Sequence, residues 1–183
     1  MSLGLAARAA EELRAAASGV DQGELDALAE AIAGAARVVV HGVGREGLMM
    51  RALAMRLAHL GLDAHVVGDM GCPPVGPGDL LVASAGPGGF ATVDALLGVA
   101  RAAGARTACV TAQAAGSAAR LADLVLLIPA QTMADDRGAA SVLPMGSLFE
   151  GAQFLVFELL VLSLRDRLGE TAETMRARHT NLE

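Results

Sequence analysis

Apolar residues recur along this chain in two rhythms. Residues 2–17 and 21–35 carry Ala and Leu at helical spacing with Glu and Arg between them, which predicts two helices. Asp21 precedes the second as an N-cap, and Glu24 three residues on completes a capping-box pattern. The rhythm then shortens. Arg37-Val38-Val39-Val40-His41 is a β-branched run ending in glycines, the mark of a strand. Helical spacing returns over 46–60 and stops at Gly61, a C′ glycine. Residues 64–67, 79–84, 106–111 and 124–128 predict four more strands, the second of these opened by the turn Pro77-Gly78. Helices fall between them at 91–103, closed by Gly104, and at 117–121. Residues 147–168 predict a long helix, and 171–183 a helical then irregular tail. Residues 129–146 are left as a loop holding Asp135, Asp136 and Gly138, and a loop of that length in a compact domain is often functional.

Five short apolar strands separated by helices imply an α/β fold, a parallel sheet covered on both faces with right-handed crossovers. A chain of 183 residues is most simply one domain: helices over 1–36, an αβα core over 37–168 and a tail over 169–183. The long helix is apolar around much of its circumference, so it is buried on more than one side, which favours a contact between subunits. Composition agrees: 54% hydrophobic against 19% charged residues is apolar for a monomer. Trp and Tyr are absent, so there is no stacking platform for single-stranded nucleic acid, and the net charge of -6 opposes a phosphate-backbone binder. No Lys occurs, which excludes Schiff-base chemistry and a P-loop lysine. Cys72 and Cys109 lack metal-ligand spacing, so structural, reduced thiols and no metal are expected. No apolar run approaches the ~20 residues of a membrane span, the strongest (154–164) being interrupted by Glu158. With no basic, apolar leader at the start, a cytoplasmic protein is the expectation.

Candidate chemistry begins at Gly42-x-Gly44-x-x-Gly47, which follows a strand and opens a helix. The spacing matches the dinucleotide fingerprint, with Asp69 placed to hold a ribose. The same glycines also serve a tight turn in many doubly wound sheets, so both readings stand.

A wider pattern points elsewhere. Gly42-Val43-Gly44-Arg45 runs on into Ala54-Met55-Arg56-Leu57-Ala58-His59-Leu60-Gly61, then Val66-Val67-Gly68, an acid at 69, and Pro73. Pro144-Met145-Gly146-Ser147-Leu148-Phe149-Glu150 and Arg178-His179-Thr180-Asn181-Leu182-Glu183 complete it. Taken together, nearly all of residues 37–183 resembles the 6-phospho-3-hexuloisomerases, single-domain members of the SIS (sugar isomerase) family. The resemblance implies a three-layer αβα sandwich on a five-stranded parallel sheet, flavodoxin-like and doubly wound. It also implies a homo-oligomer, usually a tetramer with sites at subunit boundaries, and no cofactor. The chemistry it implies moves a carbonyl between adjacent sugar carbons through an enediol, with a sugar or sugar phosphate as the partner. Glu150 matches the family's glutamate and is the candidate base; as a first-turn acid of a helix it also has an ordinary explanation. His179 matches the family's tail, where it reaches a neighbouring subunit's site, or it is a surface histidine near a helix end. The candidate substrate contacts are Gly42, Gly44, Arg45, Glu46, Gly47, Ser84, Gly86, Gly88, Gly89 and Thr92. His41 ends its strand beside the glycine turn, while His59 and His65 read as structural.

The pattern is broken where the family binds phosphate. A Ser follows the arginine of the first loop in the family; here it is Glu46. The second loop normally reads Ser-Gly-Ser-Gly with a Thr two residues on; here it is Ala85-Gly86-Pro87-Gly88-Gly89-Phe90. Pro87 also lacks an N–H. A carboxylate at a helix N-terminus can itself occupy an anion site and repel phosphate. Two readings follow: an isomerase that binds its substrate through other groups, or a sugar- or metabolite-binding SIS module without turnover. The dinucleotide binder stands third, and Cys72 as a nucleophile has no evident base beside it.

Overall fold

The computed structural model describes residues 3–136 and 141–182. Gly138 therefore lies outside the described residues. Two N-terminal helices, α1 (Leu3–Ser18) and α2 (Gln22–Gly34), precede β1 (Val38–His41). Then follow α3 (Gly44–His59), β2 (Ala64–Val66), β3 (Leu80–Ser84), α4 (Ala91–Ala102), β4 (Arg106–Thr111), α5 (Ser117–Leu121) and β5 (Leu124–Leu127). The chain ends in α6 (Ser147–Leu168) and α7 (Ala172–Ala177). All five strands are parallel, in the order β2-β1-β3-β4-β5. This is the flavodoxin-like doubly wound sheet of an αβα sandwich.

Alternation along the strands divides the core in two. Val38, Val40, Leu80, Val82, Ala108 and Val110 face the layer of α1, α2, α3 and α6, where Leu28, Met50, Leu57, Phe149 and Leu160 complete the packing. Val39, Leu81, Ala83 and Cys109 face α4 and α5, against Val93, Leu97 and Ala118. With aromatics nearly absent, Leu, Val, Ile and Ala do almost all of this filling.

Caps and stops largely follow the sequence. Asp21 accepts the Glu24 N–H at 3.0 Å, as an N-cap does. The reciprocal half of the predicted capping box is not made. Glu24 instead reaches the end of the sheet and accepts the Leu127 N–H at 2.7 Å, because a strand-end donor competes better than the local one. Gly61 and Gly104 close their helices in the left-handed region, at φ 82° and 83°.

α6 carries two faces. Leu148, Phe149, Ala152, Val156, Leu160 and Leu164 are buried in the core against α1, α2 and α3. Phe154, Leu155, Leu159 and Leu162 are exposed. The sequence reading found no apolar run near membrane length, whereas these 22 residues reach the length and mean hydropathy of a span. The buried face, packed in the core of the sandwich, supplies part of that apolar character, and the exposed Phe154, Leu155, Leu159 and Leu162 supply the rest.

The loop before α6 is pinned by its acids. Asp135 accepts from Thr132 N and Oγ1 at 2.6 and 2.8 Å, and Asp136 accepts the Met145 N–H at 2.9 Å. Asp135 and Asp136 thus shape the approach to α6, where Met145 and Gly146 both take positive φ, 55° and 85°.

Candidate active site

In a sheet of this order the chain reverses direction between β1 and β3, and the crevice at their C-terminal ends is where such folds hold ligands. Two glycine turns meet there. Gly42 and Gly47 face each other so closely that a Cβ on Gly47 would lie 2.5 Å from the Gly42 carbonyl oxygen, and one on Gly42 would lie 2.9 Å from the Gly47 nitrogen. Close approach of strand end and helix start therefore accounts for both glycines. Gly44 opens α3 at φ 59° with free space around it.

Glu46, in the first turn of α3, is buried and crosses the crevice to the second turn. Its Oε2 accepts from Ser84 Oγ at 2.5 Å and from the Gly86 N–H at 2.9 Å. Ser84 in turn accepts from Gln153 Nε2 of α6 at 2.9 Å. Burial pushes the Glu46 carboxyl above the usual carboxylate range; the Ser84 and Gly86 bonds oppose this, and the nearby Glu150 charge adds to it. The carboxylate that the sequence puts at the start of α3 thus lies across the crevice, against the turn after β3.

Glu150 sits one turn into α6, its side chain 14% exposed. Arg45 Nε stands 2.9 Å from Glu150 Oε2 but off the line that a hydrogen bond needs, so this buried oxygen makes none among the described residues. Arg45 Nη1 donates to Ser147 Oγ at 3.0 Å, and the guanidinium is otherwise 62% exposed. Burial raises the Glu150 carboxyl above its ordinary value and the Arg45 charge counters it. The result is a carboxylate beside one cation, with an oxygen free to take a proton.

The remaining predicted contacts run from the turn after β3 into α4. Gly86 packs beneath the Phe149 ring. Gly88 and Gly89 lie against the turn after β4, where the Gly88 carbonyl accepts the Ala118 N–H at 3.1 Å and Ser117 crowds Gly89. Thr92 is exposed in the first turn of α4. His179 is not at this site within its own chain. It stacks on His59, ring centroids 5.3 Å apart, at the far end of α3. At 1.5 Å per residue along the helix that is about 20 Å from Glu46.

Three further observations bear on the sequence reading. His41 ends β1 in the crevice with a buried Nε2 that makes no hydrogen bond among the described residues, and burial lowers its pKa. Asp69, the candidate ribose acid, is exposed and ion-paired with Arg51 at 3.0 Å; Arg56 likewise pairs with Glu158 at 3.1 Å. Burial raises the Cys72 thiol, which leaves it a poor nucleophile. Gln153 escaped the sequence reading altogether, although an amide inside an apolar helical run is a visible signal.

Comparison with known proteins gives one answer. The family profile of the SIS domain matches residues 31–162. The 3-hexulose-6-phosphate isomerase of Mycobacterium gastri is 40% identical over 173 residues, covering 94% of this chain and 87% of its own. That of Bacillus subtilis (strain 168) is 34% identical, covering 94% of each chain. A Methanococcus jannaschii protein whose crystal structure led to an inferred function as 3-hexulose-6-phosphate isomerase superposes with a TM-score of 0.86. It is 25% identical, with 99% of this chain and 100% of that one covered. The chain belongs to the SIS-domain family, in its 3-hexulose-6-phosphate isomerase branch.

Proposed function

We propose that this protein isomerises a 6-phosphorylated 3-hexulose to its 2-ketose, with Glu150 as the base. The observation that carries the assignment is the buried Oε2 of Glu150 beside Arg45, without a hydrogen bond among the described residues, in a chain of this branch. The carboxylate takes the hydrogen of C2 as a proton. The C–H electron pair becomes the C2=C3 double bond, and the C3 carbonyl oxygen gains a proton, giving the enediol. Return of a proton to C3 and loss of one from the C2 hydroxyl leaves the carbonyl on C2. Nothing is oxidised overall and no cofactor is needed. Burial suits the task, since a carboxyl shifted upward holds an abstracted proton better than an exposed one.

His179 enters this scheme only as a residue lent by a second copy, because its own chain holds it at the far end of α3. The exposed Phe154, Leu155, Leu159 and Leu162 of α6 support such an assembly, which we take to be a tetramer. A second reading, a binding module without turnover, has Glu46 in its favour, since it fills the turn where the family places phosphate donors. Conversion of 6-phospho-3-hexulose to fructose 6-phosphate separates the two. Turnover that disappears in Glu150→Gln supports the isomerase, and its absence in the unaltered protein supports the module.

A further inference from the structure

The turn after β3 already receives the carboxyl group of Glu46. Its backbone donors can be followed one by one. The Ala85 N–H goes to the Val110 carbonyl at 2.9 Å, the Gly86 N–H to Glu46 at 2.9 Å and the Gly88 N–H to the Ala85 carbonyl at 2.9 Å. Pro87 has none. The Ser84 hydroxyl, the one side-chain donor at the strand end, is also committed to Glu46. A phosphate arriving at this turn would find the Ser84 hydroxyl and the Gly86 N–H already taken by a buried carboxylate.

This occupancy is braced rather than accidental. Gln153 is fully buried in α6, and its amide nitrogen fixes the Ser84 oxygen from below. Gly86 cannot gain a side chain without striking Phe149, so the turn stays close to the carboxylate. Elements α3, β3 and α6 each contribute one residue to the same network.

We infer that Glu46 is a specificity-determining residue, a resident occupant of the anion position at residues 84–86 that weakens binding of the phosphate end of a sugar phosphate and leaves the sugar hydroxyls unaffected. The inference rests on the isomerase reading for the identity of the ligand, but its readout is binding, which does not require turnover.

The test is calorimetric titration of the full chain with fructose 6-phosphate and with fructose, for the unaltered protein, Glu46→Ser and Glu46→Gln. Circular dichroism checks that each variant is folded. Glu46→Ser frees the Gly86 N–H and removes the charge. Fructose 6-phosphate should then bind at least about tenfold more tightly, the worth of one recovered charge-assisted hydrogen bond. Glu46→Gln keeps the shape and removes only the charge, so it should gain about threefold or more by the same arithmetic. Fructose should change by less than about twofold in either. Unchanged or weaker fructose 6-phosphate binding in the folded variants overturns the inference, as does an equal gain for fructose. If Glu46→Ser does not fold, Glu46→Gln decides on the same criteria. A gain in affinity with no turnover in the unaltered protein sinks the isomerase and keeps the inference; turnover with no gain does the reverse.

Discussion

Adding one methyl group at Gly86 should damage stability and turnover together. A Cβ there would lie 2.7 and 2.8 Å from Phe149 Cδ1 and Cε1, and 3.0 Å from Glu46 Oε1. Real Cβ contacts of that kind are essentially never closer than 3.0 Å, so something must move. Phe149 is 1% exposed in the first turn of α6, with no open side to retreat into. Overpacking of this kind costs about 1–3 kcal/mol. The strain falls on the residue before Glu150, and a displacement near 1 Å of a reacting group costs roughly a hundredfold in rate. Urea denaturation of Gly86→Ala should therefore show a loss of about 1–3 kcal/mol, and its kcat should fall at least about tenfold. A variant with unaltered stability and unaltered kcat would refute the packing of this turn against Phe149, the neighbour of the proposed base.

Other expectations follow from the same geometry. Gly98 lies exposed inside α4 with nothing within 4 Å of its added Cβ, so Gly98→Ala should raise stability by about 0.5–1 kcal/mol in the same denaturation assay. For Glu46 the folded pKa lies above the unfolded one. The folded chain keeps that proton after the unfolded chain has released it. Its contribution is thus complete below the unfolded pKa and declines as pH rises through the folded one. Glu46→Gln cannot ionise, so unfolding measured from about pH 4 upward should show the unaltered protein losing stability relative to the variant. Because burial raises Glu150 as well, the acid limb of kcat/KM should lie above the ordinary glutamate range. Arg45→Ala, which removes the opposing charge, should move that limb further up.

Much of the fold was legible because its signals are local. Ala- and Leu-rich periodicity, strand runs of valine, and the stops at Gly61 and Gly104 placed every element to within a residue or two. What went astray was decided by tertiary competition. Glu24 abandoned its own helix for the Leu127 N–H, and α3 begins at Gly44 rather than at 46 because the left-handed glycine feeds directly into its first turn. At the site, a carboxylate at the first turn of α3 was readable from the place of Glu46 after Arg45 at a helix start. Its bracing by Ser84 and Gln153 was not, since the residues at 84 and 153 meet only when α6 packs over the end of β3. No signal in the sequence places His179 relative to Glu150, because its position is set by stacking on His59, a contact made only when the tail folds back along α3.

Proton exchange at the substrate carbon tests the central assignment most directly. Fructose 6-phosphate incubated with the protein in heavy water should lose its C3–H signal by proton NMR, as Glu150 lifts that hydrogen in the reverse direction and returns a deuteron. Glu150→Gln should leave the signal at least about a hundredfold longer-lived. Exchange at an undiminished rate in Glu150→Gln, or none in the unaltered protein, would contradict Glu150 as the base of an isomerase.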